Sequence, residues 1–131
     1  MRFAKLWSRC GVAFILLVVY LSLAPHAPDV GRMHDVKIGH FLAYGWLTLW
    51  FCQIHRSIGR RVSIALALVL MGVALEYAQR MAGYRSFSYG DMADNALGVA
   101  AGFVLGITPL NRMLLTLEAI YLRRAAASSS S

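Results

Sequence analysis

Charge is the scarcest property of this chain. Only 15% of its 131 residues are charged, and just six are acidic, where soluble domains carry about 25% charged residues. A chain so poor in charge and 59% apolar is excluded from the disordered class, which needs low hydrophobicity and high charge. It is equally excluded from ordinary soluble globules, because a chain this short has too little interior to hide so much apolar surface. Cysteine is scarce as well: Cys10 and Cys52 fall in no metal-binding spacing, so two free thiols are expected, with no disulfide. Long linkers, low-complexity blocks and internal repeats are absent, which leaves one unit.

What is present is apolar sequence in long runs. Residues 10–28 and 38–55 hold no Asp, Glu, Lys or Arg, 62–79 hold only Glu76, and 95–111 hold none. A membrane-spanning helix needs about 20 mostly apolar residues. The runs predict an all-α integral membrane protein with four transmembrane helices, at roughly 7–24, 37–54, 62–81 and 91–108. The first run has the outline of a signal peptide, with Ser22-Leu23-Ala24 as a cleavage-like site, but Pro25 directly after it disfavours cleavage. It is expected to stay as a span.

Basic residues set the expected orientation. Arg2, Lys5, Arg9, Arg56, Arg60, Arg61, Arg112, Arg123 and Arg124 fall at one end of such a bundle, with Glu118 as its one acid. The other end has Arg32, Lys37, Arg80 and Arg85 against Asp29, Asp35, Glu76, Asp91 and Asp94. Loops rich in Lys and Arg stay in the cytoplasm, so both termini are expected there. The pI near 10 comes from residues that flank apolar spans, and no nucleic-acid partner is expected.

After the fourth run, Thr108-Pro109 reads as a helix cap with proline at the first helical position. Leu110, Met113, Leu114, Leu117 and Tyr121 then recur at helical spacing. This predicts an amphipathic interfacial helix over 109–124, separate from the transmembrane domain 1–108 and followed by a disordered tail over 125–131.

Polar groups inside spans are costly, and here they gather at one height. His40 lies about one turn into the second helix, Glu76 and Gln79 close the third, and Asp91, Asp94 and Asn95 open the fourth, all at the outer end. His40 and Tyr44 share a face. Asp91, Asn95, Gly98 and Gly102 share another, with Gly106 near it. The Gly98-x-x-x-Gly102-x-x-x-Gly106 seam admits close approach of a second helix backbone.

The ordered set Glu76-x-x-Gln79, Arg85, Asp91-x-x-x-Asn95-x-x-Gly98-x-x-x-Gly102, together with Lys37-x-x-His40-Phe41-x-x-Tyr44, resembles the signature of VanZ-like membrane proteins over about 35–106. One position departs from it: the family places Asp directly before the Lys, where this chain has Val36, with Asp35 one residue earlier. The resemblance implies a four-helix fold in a bacterial cytoplasmic membrane, a polar site facing outward and a link to glycopeptide susceptibility. It implies no reaction.

Three function classes fit these residues. The first is a non-enzymatic envelope protein whose outer pocket of Lys37, His40, Tyr44, Glu76, Gln79, Arg85, Asp91 and Asn95 binds an anionic lipid headgroup or a lipid-linked cell-wall precursor. A second copy or another membrane protein would be a further partner. The second is an intramembrane hydrolase or transferase on a lipid-linked substrate, with Glu76 as general base and His40 or Asp91 beside it. The third is a polar cluster that only locks a scaffold, through an i, i+4 pair of Glu76 with Arg80 and a cap from Asp91. A metal held by His40, Glu76, Asp91 and Asp94 lacks the His-x-x-x-His spacing such sites favour. Neither a metal nor a cofactor is expected.

Overall fold

The computed structural model describes residues 1–24, 33–83 and 88–128, with the backbone alone for 33–37. Its order is α1 (Ala4–Leu23), α2 (Met33–Ile54), α3 (Ile58–Met81), α4 (Tyr89–Gly106), a 3-10 turn (Pro109–Arg112) and α5 (Met113–Ser128). The described residues are helical throughout, apart from the short connections.

Local chemistry explains where the helices stop. Ala24 still donates its N–H to the Tyr20 carbonyl at 2.9 Å, but its ψ of 134° is extended, the conformation forced on a residue that precedes proline. At the end of α3, Gly83 adopts φ +74° and its N–H returns to the Arg80 carbonyl at 3.1 Å, a left-handed stop that glycine takes without strain. Ser88 caps α4: its Oγ accepts the Asp91 N–H at 3.2 Å. Thr108 caps the 3-10 turn by accepting the Leu110 N–H at 3.3 Å, with Pro109 next in line.

The second helix is the centre of the bundle. It touches every other α-helix, and its most extensive contact is with α4. Tyr44, Leu47 and Phe51 of α2 form the core with Leu68 of α3 and Val99 of α4, and Phe14, Ile15 and Val18 of α1 pack against it. Trp7 and Phe14 of α1 meet Trp50 edge-on, with ring centroids 5.9 and 5.2 Å apart, and the Trp50 indole donates to the Trp7 carbonyl at 2.9 Å. Cys10 and Cys52 are free thiols.

The outside of the bundle is apolar. Leu16, Leu70, Leu97 and Val104 each leave more than half of their surface exposed. Among the described residues, α1 and α3 are long and apolar enough to cross a membrane. A third span is reached if α4 and the helices after it, bent by 74°, count as one. Four runs were expected to meet that standard. The shortfall has a physical reason in α2: residues 47–53 are enclosed by neighbouring helices, so Thr48 and Gln53 sit buried against protein and that half of the helix does not need a lipid-compatible surface, whereas Ile38, Leu42 and Trp46 stay exposed. The expected boundary at 124 also moves, because Ala125, Ala126 and Ala127 are strong helix formers and α5 runs on to Ser128.

Candidate functional site

The polar residues of α3 and α4 collect at the end of the bundle where α3 stops and α4 starts. Glu76 is buried, and its Oε1 accepts the Ser88 N–H at 2.6 Å. Ser88-Tyr89-Gly90-Asp91 has the spacing of a capping box, in which the acid three residues on would take the cap residue's own N–H. Here Glu76 takes that N–H, so a carboxylate from α3 sits at the positive end of α4 and ties the two helices together. Ser88, which looks like an ordinary loop serine in the sequence, is therefore the cap, and Asp91, expected to be the cap, is the acid of the first turn.

Below this, Asn95, Gly72 and Tyr44 meet. A side-chain carbon on Gly72 would lie 3.1 Å from Asn95 Nδ2 and 3.4 Å from the Tyr44 ring, so a bare backbone on α3 makes room for the amide of α4 and the ring of α2. Asn95 is only 4% exposed, yet among the described residues its Oδ1 accepts no hydrogen bond. A buried acceptor without a donor costs about 1–3 kcal/mol.

The remaining expected site residues divide. His40 is half-buried, one turn before Tyr44 on α2. Gln79 is buried but turns toward α1, where its Nε2 donates to the Ser22 carbonyl at 2.6 Å; it closes the end of α1 and does not join Asn95. Asp94 is half-buried. Arg85 lies outside the described residues, as does the side chain of Lys37. Among the described residues, no three of His, Cys, Asp and Glu are grouped closely enough to hold a metal ion.

The glycine seam lies against α2. A side-chain carbon on Gly98 would strike the Phe41 carbonyl, one on Gly102 the Gly45 carbonyl, and one on Gly106 would lie 2.6 Å from Cys52 Cβ. The two backbones run close enough for α2 to carry Tyr44 to the level of Asn95.

The opposite end has its own polar network, which reads in the sequence as a solvated basic flank. Arg61 is buried; its Nε donates to the His55 carbonyl at 2.7 Å and its Nη1 to the Gly106 carbonyl at 3.1 Å, closing the C-termini of α2 and α4. Gln53 Oε1 accepts the Leu114 N–H at 2.9 Å at the start of α5. Glu118 of α5 accepts the Arg2 and Phe3 N–H groups at the start of α1. Burial alone would raise the Glu118 carboxyl, but these two N–H groups, with the charge of the N-terminus and the Trp7 side chain, together outweigh it and hold it below its usual range. Burial, and then the charge of Arg60, push the His55 imidazole below its usual value.

No protein-family model and no solved structure matches the chain. It is similar to an uncharacterized protein of the fission yeast Schizosaccharomyces pombe, 29% identical over 116 residues, which cover 86% of this chain and 68% of that protein.

Proposed function

We propose that this chain is a multi-pass membrane protein of the VanZ-like kind, with four membrane-crossing helices and both termini in the cytoplasm, whose polar layer at the far end binds a phospholipid headgroup without catalysing a reaction. The observation that carries the reading is the buried, donorless Oδ1 of Asn95 beside Tyr44. A headgroup hydroxyl or ammonium supplies the missing donor, and Lys37 and Arg85 are the cations of this end suited to its phosphate. A lipid suits the layer better than a bacterial wall precursor, because the similar protein comes from a fungus. The bonds from Ser88 to Glu76 and from Gln79 to Ser22 favour a second reading, in which the layer is a scaffold lock.

Asn95→Leu separates the two. Phosphatidylethanolamine offers N–H donors and phosphatidylcholine offers none, so native mass spectrometry of the wild type should retain the former about tenfold better, the worth of one buried hydrogen bond. In Asn95→Leu that preference should vanish while the melting temperature in detergent holds or rises, since an unsatisfied acceptor has gone. A lower melting temperature with the lipid preference intact would establish the scaffold lock instead.

A further inference from the structure

A second polar feature lies at the opposite end of the bundle, away from Asn95. The first turns of α1 cross the end of α2 and the start of α3 and leave an open cleft of about 440 Å³. Lys5, Ser8 and Arg9 line it from α1, His55 from the end of α2 and Arg60 from α3. Three cationic side chains thus face one cleft that, among the described residues, no carboxylate lines. The carboxylate described at this end, Glu118, is engaged elsewhere, with the Arg2 and Phe3 N–H groups. Arg61 is turned inward onto two helix C-termini, so of the two adjacent arginines only Arg60 lines the cleft. The first turn of α3 adds to the positive field, because Ser57 at its cap makes no side-chain hydrogen bond to it.

The surroundings of the cleft are apolar. On α1, Lys5 and Arg9 continue at helical spacing into Val12, Leu16 and Tyr20, all exposed. On α3, Arg60 continues through Ser63 into Ala67, Leu70 and Ala74, also exposed. A cationic cleft from which two greasy stripes run along the long axes of α1 and α3 is complementary to a molecule with an anionic head and hydrocarbon tails. A free phosphate would use the head of this site and none of its length.

We infer that the Lys5–Arg9–Arg60 cleft is a binding site for the phosphate of an anionic phospholipid, whose chains lie along the exposed stripes of α1 and α3. The test compares phosphatidylglycerol with phosphatidylethanolamine on the full chain by native mass spectrometry. Both lipids carry headgroup donors, so any contribution of Asn95 cancels and the result does not depend on the reading of the other end. The wild type should prefer phosphatidylglycerol, and Arg9→Gln with Arg60→Gln should lower that preference about fivefold for each cation removed. Both residues are exposed, and an unchanged melting temperature verifies the fold; Lys5→Gln alone gives a milder version of the same test. The control, Arg112→Gln with Arg123→Gln, removes two cations from a separate groove between the 3-10 turn and α5 and should leave the preference intact. The inference is overturned if the wild type shows no preference, if the cleft variants keep it, or if the control loses it equally. Displacement of phosphatidylglycerol by inorganic phosphate would overturn the lipid assignment in favour of a soluble anion.

Discussion

The tightest constraint on any single position is the space around Gly102. A methyl group there would land on the Gly45 carbonyl and lie 2.9 Å from Thr48 Cβ, and a backbone carbonyl inside a helix cannot swing away as a side-chain tip can. Gly102→Leu should therefore cost at least about 1–3 kcal/mol, seen as a lower melting temperature in detergent. Gly39 on α2, the helix against which Gly102 packs, has no atom within 4 Å of such a methyl, so Gly39→Ala should be neutral or slightly stabilising. Equal behaviour of the two variants would mean that α2 and α4 are not in backbone contact. The small-residue spacing of Gly98, Gly102 and Gly106 made the close approach legible in the sequence, but not its partner, because the spacing fixes a face of α4 and leaves open which helix lies on it. Ser88 shows the opposite limit. Its role depends on Glu76 reaching it from another helix, and no local pattern encodes that.

Among the elements, α5 is held by one buried apolar side chain and by polar contacts to its neighbours. Leu114 and Glu118 are its buried residues, and it is held by Gln53 from α2 and by the N–H groups at the start of α1. This end should be acid-labile in two steps. The folded-state value of His55 lies below its usual one, so the unfolded chain takes up the proton first and stability falls as the pH drops through about 6.5. The Glu118 carboxyl is also held low, so its stabilisation persists through that range and is lost only below the ordinary carboxylate range, near about pH 4. Melting curves against pH should show both steps. His55→Gln should remove the upper one and Glu118→Gln the lower, whereas a flat profile would contradict the network. A helix after α4 was legible from Thr108-Pro109 and the spacing of Met113, Leu117 and Tyr121, but not its bounds: Thr108 caps the 3-10 turn before it, and the helix runs past the expected end at 124 to Ser128. The docking by Glu118 was not, because a lone acid in a basic stretch looks like ordinary surface charge until the start of α1 is seen beside it.

At the scale of the whole molecule, the alternation of apolar runs and basic loops carried the helix count and their order, since both follow from composition along the chain. The interior was harder to read. Residues such as Gln53, Arg61 and Gln79 are polar by type and buried by position, and their burial depends on neighbours that only the packed bundle supplies. The chain places the Asn95 layer and the basic cleft at opposite ends, and the two proposed sites require that these ends lie on opposite sides of a membrane. The direct measurement is the sidedness of reporter fusions in intact cells. Fusions after Ile58 and Ser128 should report the cytoplasm, and fusions after Val30 and Ser86 the far side, because nine of the thirteen basic residues flank the end that carries both termini. A far-side signal at Ile58, or the same side at Ile58 and Ser86, would contradict the four-span arrangement and with it the separation of the two sites.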